Sequence, residues 1–71
     1  MTFSEKLKQL RLEKGLSLQA LSDISDVTAM TLFNIEHNRT KPNVRTISKL
    51  AKALDYDYSE LFDIAFQERK S

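Results

Sequence analysis

Cysteine is absent from this chain of 71 residues, and glycine, proline and histidine occur once each. Without thiols there is no disulfide framework and no thiolate metal site, so an apolar core must hold the fold by itself. A lone histidine offers neither a metal cluster nor the nucleophile and base pair that catalysis needs. A single glycine excludes a glycine-rich loop of the kind that cradles phosphates. No apolar run approaches the roughly 20 residues that span a bilayer. The opening stretch MTFSEKLKQL is amphipathic and lacks the apolar centre of a secretory signal. These absences predict a soluble, cytoplasmic chain that is not an enzyme, needs no cofactor or metal, and engages no membrane.

What the chain does contain is leucine, lysine and glutamate in quantity, at a length suited to one small all-α domain over residues 1–71. The net charge is only +1, yet the charges are sorted along the sequence. Residues 37–52 carry Arg39, Lys41, Arg45, Lys49 and Lys52 with no acid, whereas residues 53–68 carry Asp55, Asp57, Glu60, Asp63 and Glu68 with no base. One end of the molecule is therefore expected to be positive and the other negative. Taken alone, such runs also describe ordinary solvated helix faces.

Boundary signals divide the chain into five helices. Thr2 and Glu5 have capping-box spacing at the start of a first helix with Phe3, Leu7 and Leu10 on one stripe, and Gly15 supplies the left-handed turn after Lys14. Ser17 opens a second helix to about residue 25, and Thr28 a third to about residue 37, where Asn38 can adopt positive φ. Pro42 keeps the chain extended before a fourth helix over residues 43–54, with Val44, Ile47, Leu50, Ala51 and Leu54 expected to face inward. Asp57 and Glu60 repeat the capping-box pattern before a fifth helix at about residues 58–68, where Leu61 and Phe62 are assigned to the core. Nothing repetitive or linker-like interrupts this series.

Within it, GLSLQALSDISDVTAMTLFNIEHNRTKP spells out two capped helices joined by Ser25, Asp26 and Val27, with Leu21, Val27, Leu32 and Ile35 spaced to face inward. Two short helices across so tight a turn form a helix-turn-helix, which places its second helix in the DNA major groove. The basic run begins where that helix ends, which is where phosphates would lie.

Several linked pieces carry a resemblance: LRLEKGLS before the second helix, DVT in the turn, FNIEHNRTKP leaving the third helix, and ISKLAKALDYDYSELF closing the domain. Together they resemble the phage-repressor and Cro type of helix-turn-helix transcriptional regulators, also called xenobiotic-response-element-like, over residues 7–62. The resemblance implies a compact five-helix lambda-repressor-like fold. It also implies a buried pair between Arg11 and Glu36. The function it implies is that of a repressor binding a palindromic operator in double-stranded DNA as a homodimer.

On that reading the third helix presents Thr28, Ala29, Met30, Thr31, Phe33 and Asn34 to base edges. Asn34 is the strongest reader, because its carboxamide matches adenine N6 and N7. Ala29 and Met30 depart from the polar residues usual in the family and suit a thymine methyl instead. Phe33 has two readings, groove contact or packing against Met30 or the side chains around Ile64. Ser17, Gln19, His37, Arg39, Thr40, Lys41, Asn43 and Arg45 are expected along the phosphates. Leu18 stands where the family often has glutamine, and Asp26 where it favours glycine, so the turn is expected to carry some strain.

The fifth helix has more apolar residues than one stripe can bury, and Ile64, Ala65 and Phe66 are expected at a dimer interface, flanked by Tyr56 and Tyr58. A second reading stays open. The same fold can grip a partner protein, in the manner of an antitoxin-like regulator, through Met30, Phe33 or the last helix.

Overall fold

Residues 1–67 are described by a computed structural model of the chain. Its order is α1 (Phe3–Glu13), α2 (Leu18–Ser25), α3 (Ala29–Glu36), α4 (Val44–Ala53) and α5 (Tyr58–Gln67), with no strand among the described residues. Residue 68, assigned from sequence to the last helix, lies outside the described residues, as do residues 69–71.

Each helix begins where a side-chain oxygen can replace a missing intrahelical acceptor. Thr2 and Glu5 form a complete capping box, with the Thr2 side chain accepting from the Glu5 amide and the Glu5 carboxylate accepting from the Thr2 amide. Ser17 accepts from Ala20 N–H at 3.0 Å, Thr28 from Thr31 N–H at 3.1 Å, Asn43 from Thr46 N–H at 2.8 Å and Asp57 from Glu60 N–H at 3.2 Å. Three helices end on the same double backbone bond. Gly15 and Leu16 close α1, Asn38 and Arg39 close α3, and Asp55 and Tyr56 close α4, each pair donating to carbonyls in the last turn. The left-handed residue is Gly15 at φ 67°, Asn38 at 58° and Asp55 at 52°. This is the Schellman arrangement, which satisfies orphan carbonyls and turns the chain sharply.

The core gathers Phe3, Leu7 and Leu10 of α1, Leu21 of α2, Val27 of the turn, Leu32 and Ile35 of α3, Ile47, Leu50 and Ala51 of α4, Leu54 just after it, and Leu61 and Ala65 of α5. Helix α2 packs on α3 and α4, α1 on α3 and α5, and α4 on α5. Burying these side chains supplies the main favourable term in folding, and no disulfide supplements it.

Three inward or outward assignments are corrected. Val44 is 49% exposed, because α4 meets the core only from Ile47 onward. Phe62 lies outside the core cluster and runs along the surface of α5 between Tyr58, at 5.8 Å between centroids, and Phe66, at 4.3 Å. Ala65, expected at an interface, is 3% exposed and belongs to the core instead. Its small side chain lies one turn from Leu61, on the face that α5 turns inward.

Candidate nucleic-acid interface

The turn between α2 and α3 is held by its own backbone, the Ser25 hydroxyl and one distant lysine. Asp26 caps α2 in the left-handed region, with φ 62° and ψ 30°, and its amide donates to the Ser22 carbonyl. Buried Ser25 accepts the Val27 amide at 3.2 Å. From α4, Lys49 donates to the Asp26 carbonyl at 3.2 Å and to its carboxylate at 3.3 Å. The turn thus directs Val27 into the core and starts α3 at Thr28.

Helix α3 divides cleanly by face. Leu32 and Ile35 are buried, whereas Ala29, Met30, Phe33, Asn34 and His37 lie on the opposite side with intermediate to high exposure. Met30 is 68% exposed. With Leu18 from the first turn of α2, Ala29, Met30 and Phe33 line a shallow groove of about 330 Å³. The Phe33 ring is held from its own helix end. It stacks on His37 at 4.0 Å between centroids and 26° between planes, and the Arg39 guanidinium sits 5.7 Å from its centroid. Nδ1 of His37 lies 2.9 Å from the Phe33 carbonyl oxygen, which fixes the imidazole against the ring. The Phe33 ring thus lies beside Met30 in this groove and stacks on His37.

The Arg11 and Glu36 side chains meet beneath this surface. Nε of Arg11 donates to Glu36 Oε2 at 2.7 Å and Nη2 to Oε1 at 3.0 Å, while Nη1 donates to the Leu16 carbonyl at 2.8 Å. The Glu36 hydrogen bond raises the arginine pKa above its ordinary value, against a smaller opposing effect of burial. One pair therefore ties α1, the loop before α2 and the end of α3 together.

A match to the HTH_3 helix-turn-helix family covers residues 7–61. The chain belongs to this family. Its five-helix fold is the lambda-repressor-like fold of the family's solved structures. The HTH_3 domain is 39% identical over 56 residues to the transcriptional regulator SutR of Escherichia coli K12, covering 79% of this chain and 32% of that protein. It is 35% identical over 60 residues to the transcriptional regulator SinR of Bacillus subtilis, covering 83% of this chain and 54% of that one. The structure of SinR, described as the master regulator for biofilm formation and solved in complex with DNA, superposes with a TM-score of 0.80 at 33% identity, over 87% of this chain and all of that one. The restriction-modification controller protein C.AhdI of Aeromonas hydrophila superposes with a TM-score of 0.79 at 35% identity, over 84% of this chain and 91% of that one. This chain thus spans about a third of the E. coli regulator and about half of SinR.

Among the sequence-assigned site residues of this HTH_3 domain, His37, Arg39, Thr40, Lys41, Asn43 and Arg45 are all exposed in the stretch from the end of α3 to the start of α4. Ser17, Thr28 and Asn43 each commit a side-chain oxygen to capping. Thr28 also donates to the Thr31 hydroxyl at 2.8 Å, and Gln19 donates to Asp23 at 3.0 Å along α2. Sequence reasoning missed that Leu18 lines the groove and that His37 and Arg39 fix Phe33. The spacing Phe33, His37 is the i, i+4 pairing of a helix face and could have flagged the first contact. No group of acids and histidines among the described residues could hold a metal ion, and no helix among them is long and apolar enough to cross a membrane.

Proposed function

We propose that this domain is a sequence-specific DNA-binding transcriptional regulator, working in the cytoplasm as a repressor, with α3 in the major groove. The observation that carries the reading is the outward face of α3. It contributes nothing to the core, yet it is braced by the Lys49 contact to the turn and by the Arg11 and Glu36 pair. A positioned helix beside an acid-free basic stretch is what base readout with phosphate anchoring requires. Asn34 reads adenine, and Ala29, Met30, Phe33, Thr28 and Thr31 complete the base-facing set. Ser17, Gln19, His37, Arg39, Thr40, Lys41, Asn43 and Arg45 lie along the backbone, with the amides at the helix starts adding donors. The protein binds rather than catalyses, as its relatives' names as transcriptional regulators support.

The longest dimension of the fold is 32 Å, about one turn of duplex. Selectivity among genomic competitors therefore calls for two copies on a palindrome. The surface proposed for pairing is the aromatic row Tyr58, Phe62 and Phe66 with Ile64, Ala65 being unavailable. A protein partner seated on the exposed groove is the second reading, favoured by the exposure of Met30.

Selection from a random duplex pool, followed by salt titration on the enriched site, tests the proposal. A palindrome should emerge, Asn34→Ala should relax one base position, and Arg45→Ala should reduce the salt slope by about 1. Failure to enrich any sequence, with affinity indifferent to salt, would transfer the surface to a protein partner.

A further inference from the structure

We propose that the groove lined by Leu18, Ala29, Met30 and Phe33 is a reader of pyrimidine C5-methyl groups, so that the half-site is specified by thymine, or by 5-methylcytosine at the same positions. The inference rests on the DNA-binding reading above and adds the chemical feature that the groove selects. Its walls come from two helices, Leu18 from the start of α2 and the other three from the outward face of α3. All four side chains are apolar, so none can report on a hydrogen-bond donor or acceptor. In the major groove the one apolar feature of a base edge is the C5-methyl.

Charge around the groove identifies its occupant as a polyanion that carries such methyls. His37 and Arg39 stand against Phe33 itself, and Arg39, Lys41 and Arg45 are exposed in an acid-free stretch from the end of α3 to the start of α4. The floor is also preset. Phe33 is clamped by His37 and Arg39, which removes ordering cost from that wall, while flexible Met30 closes over what enters. Leu18 extends recognition beyond the recognition helix, so α2 takes part in specificity and not only in backbone contact.

The test replaces thymine by uracil, one position at a time, in the selected duplex. Uracil keeps every hydrogen-bonding group and removes only the methyl. At one or more positions in each half-site the loss should be about fourfold per methyl, the worth of one buried methylene-sized group. Cytosine at that position should bind more weakly than 5-methylcytosine by a similar factor. Met30→Gln, at an exposed position that leaves the core intact, should erase the difference between thymine and uracil, and so should Leu18→Gln. A selected site that tolerates full uracil replacement with unchanged affinity overturns the methyl reading while leaving DNA binding in place. Failure to select any site, with a protein seated on the groove, overturns both.

Discussion

Arg11 and Glu36 stand 25 positions apart in sequence and meet in a two-point ion pair with side-chain exposures of 11% and 4%. Removing either partner strands a buried charge and should cost about 3 to 5 kcal/mol. Urea unfolding of Glu36→Ala and Arg11→Ala measures this. Arg11→Lys should fare little better, because an ammonium cannot reach both carboxylate oxygens and the Leu16 carbonyl at once. Replacing the pair together by Met and Leu should recover most of the loss, since an apolar pair leaves no charge to solvate.

Acid should loosen the start of α1. The Glu5 carboxylate is held below its usual pKa of 4.5, chiefly by the Thr2 amide, then by the Thr2 hydroxyl, with desolvation opposing the effect and the N-terminal charge adding the least to it. The folded value is the lower of the two, so the stabilisation is complete above 4.5 and is lost as pH falls through the folded value. Unfolding midpoints at neutral pH and near pH 3 should fall further apart for the parent than for Glu5→Gln. Equal drops in the two proteins would assign the acid sensitivity to other groups.

The left-handed residues give a graded series. Gly15 has nothing within 4 Å of where a Cβ would stand, so Gly15→Ala meets backbone strain alone and should cost about 1 to 2 kcal/mol. Gly15→Asn should cost less, since Asn38 already occupies the same region at a helix end. Conversely, Asp55→Gly should raise stability slightly, by roughly 0.5 kcal/mol, as relief of strain outweighs the added freedom of the unfolded chain. Thermal unfolding ranks all three.

On α5, neighbouring positions should separate folding from association. Ala65→Leu overfills a closed core position and should cost about 1 to 3 kcal/mol. Phe62→Lys instead removes a ring from the aromatic row and should weaken self-association in sedimentation while leaving the unfolding transition nearly intact. An unaltered sedimentation profile would remove that row from the pairing surface.

The helix starts were legible in the sequence because capping is local: Thr2, Ser17, Thr28 and Asp57 each act within three residues. The inward stripe of α3 was equally plain, since Leu32 and Ile35 are the apolar pair at helical spacing opposite Met30 and Phe33. On α5 the pattern was ambiguous. Five apolar residues among positions 61–66 satisfy more than one stripe, and only packing on α4 and α1 decides that Leu61 and Ala65 face inward while Phe62 does not. Val44 failed for a different reason, lying on the right stripe in a first turn that has not yet reached the core. Lys49 reaching Asp26 from 23 positions away leaves no local trace in the sequence. Among the proposed site residues, the basic loop could be read from charge order, whereas the clamp of His37 and Arg39 on Phe33 depends on how the chain reverses at Asn38.

The four outward positions of α3, Ala29, Met30, Phe33 and Asn34, and His37 just after it share no membership with the core. The core that holds this protein together is therefore built without those five letters. Folding and recognition are separable here, and a lineage can rewrite the text one residue at a time without passing through an unfolded ancestor. Such a domain drifts easily to new addresses, and a designer can ask the same of it by randomising five codons.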